Sequence, residues 1–133
     1  GCFFAPAIVE LTSMDEIAEE VFGPILHVVR YDPDEIEAVG AQLSAKGYAL
    51  TLGVHSRLDS FAERVMRSVK AGNVYINRSM IGAVVGVQPF GGMGLSGTGP
   101  KAGGPHYLLR FAVERTVTEN IAARGGDPAL LSL

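Results

Sequence analysis

One cysteine, Cys2, and no tryptophan occur among the 133 residues of this chain. A lone cysteine excludes an intrachain disulfide and a cysteine-rich zinc site, and is compatible with a reducing compartment. Positive charge is also scarce. Eleven Lys and Arg stand against 14 Asp and Glu, for a net charge of −3. They are scattered along the chain, which argues against the basic stripe of a nucleic-acid-binding surface. The first residues, Gly1-Cys-Phe-Phe-Ala, carry no basic run and meet Pro6 at once, so they do not read as a secretory leader. No charge lies between Arg78 and Lys101, yet the glycines, Gln88 and Pro89 of that run argue against a membrane-spanning helix. Glycine itself is abundant. Nine of the 17 glycines fall in residues 82–104, interleaved with Val84, Val85, Val87, Phe90 and Leu95. Flexible linkers do not carry such apolar residues, so the run reads as an ordered loop whose backbone approaches a ligand or another segment. An apolar fraction of 47% is ample for a packed core.

Residues 3–10 suit a short strand, with Pro6 making it an edge or irregular one. Ser13-Met-Asp-Glu16 is a capping box and predicts a helix to about Val21, stopped by Phe22-Gly23-Pro24. Residues 25–31 read as a strand covered on both faces. Asp32-Pro33-Asp34-Glu35 combines an N-cap, a proline at the first helical position and an early glutamate. Ile36, Val39 and Leu43 then share one helix face, and Gly47 stands where a helix reverses. Residues 48–55 read as the next strand. Leu58, Phe61, Ala62, Val65, Met66 and Val69 recur with helical period, Gly72 closes that helix, and residues 73–77 form another strand. This order predicts an α/β fold with a parallel βαβαβ sheet, right-handed crossovers and flanking helices. Beyond the glycine run, residues 105–110 read as a short helix, residues 111–121 as a strand, and the rest as a tail with an apolar end.

Gly92-Met-Gly94-Leu-Ser-Gly97 has the G-x-G-x-x-G spacing of a dinucleotide turn. Pro89-Phe-Gly precedes it where a strand is needed and Thr-Gly-Pro follows where a helix is needed, so that reading is rejected. Gly103-Gly104-Pro105 is more informative, because free N–H groups at a helix start attract an anion. A plain tight turn accounts for the same three residues. Glu19 and Glu20 stand in the last turn of a predicted helix, against its dipole, which points weakly to a ligand role beside the plainer reading as solvated charges. Cys2 has no base near it in sequence and reads as a small apolar residue beside Phe3 and Phe4 rather than a nucleophile. His27, His55 and His106 share no metal-ligand spacing and read as structural, so no metal is expected.

Three motifs, in order, resemble the aldehyde dehydrogenase superfamily: Glu20-Val-Phe-Gly-Pro24, Gly72-Asn-Val-Tyr-Ile-Asn77 and Pro89-Phe-Gly-Gly-Met-Gly-Leu-Ser-Gly97. Gly1-Cys-Phe-Phe-Ala-Pro6 also resembles a Gly-aromatic-Phe-x-x-Pro strand of that family. The run Gly97-Thr-Gly-Pro-Lys-Ala-Gly-Gly-Pro-His-Tyr-Leu-Leu-Arg-Phe111 is more selective and resembles the 1-pyrroline-5-carboxylate (glutamate semialdehyde) dehydrogenase branch. From Asn77 onward the chain is similar to the C-terminal part of the bifunctional proline utilization A family. General aldehyde dehydrogenases usually have a basic residue where Met93 or Gly94 stands and Arg-Glu after Gly97, and this departure supports the branch.

The resemblance implies a partial catalytic lobe over residues 1–110, an oligomerisation strand over 111–122 and a C-terminal tail over 123–133. It implies that Glu20 hydrogen-bonds a nicotinamide-ribose hydroxyl of NAD and that Phe22 packs near the nicotinamide. Gly103 and Gly104 would donate backbone N–H groups to a substrate carboxylate, which turns the balance at that turn toward an anion site. Phe111 would wall the substrate's aliphatic chain. The implied parent oxidises L-glutamate γ-semialdehyde to L-glutamate with NAD, and in a bifunctional parent an N-terminal part uses FAD to supply the semialdehyde from proline. In the family the nucleophilic cysteine, the glutamate base and the Rossmann domain precede the segment seen here, and Cys2 aligns with an aromatic position. No catalytic residue is therefore assigned, and these residues alone are expected to show no turnover. The resemblance also implies a homo-oligomer and a cytoplasmic bacterial setting, with peripheral membrane association of the parent left open. Two other readings remain: part of a general aldehyde dehydrogenase with another substrate, and a non-catalytic assembly module that pairs through its C-terminal strand.

Overall fold

The computed structural model describes residues 1–84, 86–125 and 129, so most of the predicted tail over 123–133 lies outside the described residues. Asp32 caps as its sequence context predicts, accepting the Asp34 N–H at 2.9 Å. Pro33 follows, and the 3-10 turn Pro33–Glu35 feeds helix α1 (Ile36–Ala45). Gly47 then takes a left-handed φ of 79°, which reverses the chain cheaply only for glycine. Two short strands succeed it, separated in chain order here from the earlier pair β1 (Ala7–Leu11) and β2 (Ile25–Val29): β3 (Tyr48–Ala49) and β4 (Thr51–Val54). The amphipathic stretch forms α2 (Asp59–Ser68), and β5 (Asn73–Ile76) runs parallel to β4 in the register Thr51↔Asn73 to Val54↔Ile76. β4, α2 and β5 thus make one βαβ unit.

The core sits between this unit and α1. Ile36 of α1, Val54 of β4, and Ala62 and Val65 of α2 are buried together, with Leu52, Phe61 and Val69 packed against them. Gly40 lets α1 and α2 approach. A Cβ there would lie 2.6 Å from the Ser68 Cβ, closer than packed carbon atoms tolerate. Asn77, with φ at 53°, closes the unit by accepting the Ser56 N–H (2.9 Å) and donating to the Ser56 carbonyl (2.8 Å).

Several expectations are corrected. β1 starts just past Pro6 and pairs in parallel with β2, from Ala7↔Ile25 to Leu11↔Val29. β3 pairs antiparallel with β6 (Met93–Gly94). The predicted continuous βαβαβ sheet is therefore three separate two-stranded pairs among the described residues. β2 finds its neighbour in β1 rather than β4, and the strand predicted over 48–55 bends at Leu50 because its two halves pair with different partners.

The helix predicted from Ser13 to Val21 is a single 3-10 turn, Met14–Glu16. Its capping box forms, with the Asp15 N–H on the Ser13 hydroxyl and the Ser13 N–H on the Glu16 carboxylate, each at 3.1 Å. Ile17 then turns extended, and its carbonyl accepts the Lys46 ammonium at 2.9 Å instead of an amide one turn on. A turn that buries no residue has nothing to offset the unfavourable helix nucleus.

At the other end, the helix predicted over 105–110 begins later, as the 3-10 helix Leu108–Phe111. The strand predicted over 111–121 is not formed: residues 112–120 have no regular structure and a second 3-10 turn, Ile121–Arg124, follows. Among the described residues no strand lies beside this stretch to complete a ladder, and Val113 is 93% exposed. Cys2 is a free thiol, exposed like its neighbours Phe3 and Phe4. The chain exposes 10648 Å² in all. A compact monomer of this mass exposes about 6,700 Å², and among the described residues large apolar side chains such as Phe3, Phe22 and Ile81 stand exposed.

Candidate functional site

The glycine run docks at two places. The first is the end of α1. The Leu95 N–H donates to the Gly47 carbonyl (2.9 Å), and the Ser96 hydroxyl accepts the Ala49 N–H (3.0 Å). Gly94 has a φ of 61°, and a Cβ there would sit 2.5 Å from the Gly47 oxygen. A Cβ on Gly92 would collide with the Ser96 backbone. The glycines with G-x-G-x-x-G spacing therefore close a tight β6 turn against α1, and no helix follows them.

The second docking point is Lys101. Its ammonium donates to the Gly72 carbonyl (2.5 Å), to the Gly91 carbonyl and to Asn73 Oδ1 (3.4 Å). Asn73 Oδ1 also accepts the Gly91 N–H (3.1 Å), while its Nδ2 donates to the Pro89 carbonyl (3.0 Å). Phe90 and Ala102 exchange both backbone hydrogen bonds, at 3.1 and 2.9 Å. Partial burial lowers the Lys101 pKa from the ordinary lysine value. Gly72 is required here, because a Cβ would meet the Gly91 carbonyl, Gly92 Cα at 2.7 Å and the Lys101 Nζ at 2.7 Å. Sequence reasoning passed over Lys101 and Asn73. The available signal was that Lys101 is the first charge after a long neutral run, where a lone ammonium must be satisfied by uncharged oxygens.

Lys101 leads directly into the predicted anion turn. Gly103 has a φ of 71°, and the Gly104 N–H donates to the Lys101 carbonyl at 2.9 Å. Of the two amides, that of Gly103 makes no hydrogen bond among the described residues. The helix does not start at Pro105, so no helix dipole acts on this turn; the turn itself presents the amide. Phe111 lies eight residues from Gly103 and is 73% exposed, its ring edge-on to Tyr107 with centroids 5.5 Å apart.

Glu20 lies elsewhere, on the wall of an apolar cleft of ≈ 220 Å³ shared with Ile17, Leu43, Lys46, Leu52 and Val69. Because the helix stops at Glu16, neither Glu19 nor Glu20 faces a helix C-terminus, and the dipole argument for them lapses. Phe22 is 90% exposed. No hydrogen bond or ring contact joins Glu20 or Phe22 to Gly103, Gly104 or Phe111 among the described residues. The described residues hold no group of three metal-ligating side chains, and none of their helices is long and apolar enough to cross a membrane.

Against known proteins, the model of the aldehyde dehydrogenase family matches residues 1–117, and the chain belongs to that family. Within it the similarity is to the 1-pyrroline-5-carboxylate dehydrogenase branch and to the C-terminal part of PutA-type proteins. The bifunctional protein PutA of Rhizobium meliloti is 52% identical over 131 residues, 98% of this chain and 11% of that protein. A crystal structure of a Bradyrhizobium japonicum proline utilization A mutant superposes with a TM-score of 0.83 at 66% identity, covering 92% of this chain and 13% of that one. A Thermus 1-pyrroline-5-carboxylate dehydrogenase solved with bound NAD gives a TM-score of 0.70 at 40% identity, over 82% of this chain and 21% of that one. The chain spans about a tenth of the length of the curated relatives it matches first.

Proposed function

We propose that this chain is part of an NAD-dependent dehydrogenase that oxidises L-glutamate γ-semialdehyde to L-glutamate, within a bifunctional polypeptide whose other part uses FAD to make the semialdehyde from proline. The observation that carries this reading is the turn at Gly103, which presents an amide unpaired among the described residues, inside the stretch of sequence most selective for the branch. A carboxylate on the substrate needs such a donor. Gly104 would contribute its amide by exchanging its bond to the Lys101 carbonyl for one to the substrate. Phe111, exposed on the same short stretch, would cover the aliphatic chain.

The residues expected to hold NAD fit that role. Glu20 is exposed on its cleft and makes no ion pair among the described residues, so its carboxylate is free to accept ribose hydroxyls. The open ring of Phe22 offers an apolar face. NAD, when bound, supplies the hydride acceptor. Residues 111–122 would pair with another subunit in a homo-oligomer, which supplies the missing ladder beside Val113 and Val117. The cytoplasmic setting belongs to the same reading.

The test compares L-glutamate γ-semialdehyde with pentanal in the full-length polypeptide. Two amide bonds to a carboxylate predict a kcat/KM about a hundredfold higher for the semialdehyde. Equal values would instead indicate a general aldehyde dehydrogenase, and no NADH from any aldehyde would indicate an assembly module.

A further inference from the structure

We infer that Lys101, together with Asn73, is a positioning residue for substrate carboxylate binding: it fixes the turn that presents the Gly103 amide. The inference rests on the anchor role proposed for Gly103 and Gly104. Lys101 is two residues before Gly103, and its own carbonyl accepts the Gly104 N–H. Its ammonium reaches back across the loop to the carbonyls of Gly72 and Gly91 and to Asn73 Oδ1. Asn73 opens β5 in register with Thr51 of β4, and Gly72 immediately precedes it. The turn is thereby tied to the βαβ unit through the Lys101 side chain, with Asn73 beside it.

Three features assign Lys101 to positioning rather than to direct attraction of the carboxylate. The three partners of the ammonium among the described residues are protein oxygens, so its donors are committed to them. On the Gly72 side the ammonium lies against the backbone, since a Cβ there would sit 2.7 Å from the Nζ. A Cβ on Gly104 would lie 3.0 Å from the Lys101 Cβ, so a shift of this side chain passes directly to the turn. Asn73 makes the same link without charge, holding Gly91 and Pro89 on the other flank of the loop.

The experiment uses the full-length polypeptide and first records the semialdehyde-over-pentanal preference of the wild type. Absence of that preference rejects the proposed function itself, and with it this inference. With the preference present, Lys101→Met is expected to raise KM for the semialdehyde about tenfold, the size of one lost charge-assisted hydrogen bond. Its kcat should stay within about threefold, with KM for NAD and kcat/KM for pentanal unchanged. Lys101→Arg keeps the charge but not the compact ammonium, and should show the same rise. Wild-type KM in Lys101→Arg would overturn the inference in favour of direct charge attraction. Parallel loss on both aldehydes, or an unchanged semialdehyde KM, would also overturn it. Should the Lys101 variants fail to fold, Asn73→Ala retains the lysine and must show the same selective rise; an unchanged KM there rejects the inference.

Discussion

In the α1–β4–α2–β5 unit, Ile36, Val54, Ala62 and Val65 bury apolar side chains against one another. Residues 89–104 lie against that unit and bury almost none; they are held by backbone hydrogen bonds, by Asn73 and by the Lys101 ammonium. Apolar burial is non-directional and shared among many contacts, so the unit fixes the position of its elements without fixing any single atom's partner. Hydrogen bonds from one ammonium are directional and few, so the loop's geometry depends on very few side chains. A ligand-binding turn gains from the second kind of order, because its amides must point in a stated direction.

Substitution in each region separates the two. The largest effect is expected in the core. Ile36→Ala removes a buried side chain and should destabilise the unit by about 2–5 kcal/mol, read as lost hydrogen-exchange protection across α1 and α2. If protection falls equally in residues 89–104, the two regions are one cooperative piece and the contrast fails. Gly72→Ala comes next. Its Cβ would push on the Gly91 carbonyl and on Lys101, with an expected cost of about 1–3 kcal/mol. The semialdehyde KM should rise while exchange in α2 stays as in the wild type; a uniform fall in α2 protection would show that the strain enters the core.

The smallest effect is on the surface. Arg64 holds Glu37 in a two-pronged pair at 2.8 and 2.9 Å, and this hydrogen bonding lowers the Glu37 pKa to about 2. A depressed carboxylate contributes stability above its unfolded pKa, and that contribution is lost as pH falls from about 4.5 toward 2. Both groups are solvated, so the effect is small. Glu37→Gln should therefore flatten the acid limb of the stability curve in that window and leave the neutral plateau almost unchanged. An identical acid limb in the variant would show that the pair adds nothing to the link between α1 and α2.

How much was legible in the sequence follows the same division. The two helices of the unit were visible because the periods of Ile36, Val39 and Leu43 and of Phe61, Ala62, Val65 and Val69 match the faces that are buried or half-buried, although Leu58 and Met66 of the same pattern are exposed. The Asp32 cap and the Gly47 reversal were visible because they depend on neighbours within a few residues. The glycine turn at 103–104 was marked by composition, but the partner of Gly104 was not. The Ser13 box was read correctly as a cap and wrongly as the start of a long helix, since the carbonyl of Ile17 is taken by Lys46, 29 residues away. Sequence period alone carried no information on whether β2 would meet β1 or β4.

The chain's own sequence determined the family, helices α1 and α2, the Asp32 cap and the Gly47 reversal, because each is written in local spacing and backbone stereochemistry. Tertiary structure alone decided which strands pair, where the first helix stops and that Lys101 ties the glycine loop to β5. Those outcomes depend on groups brought together from distant parts of the chain, and no local preference specifies which carbonyl an ammonium will reach.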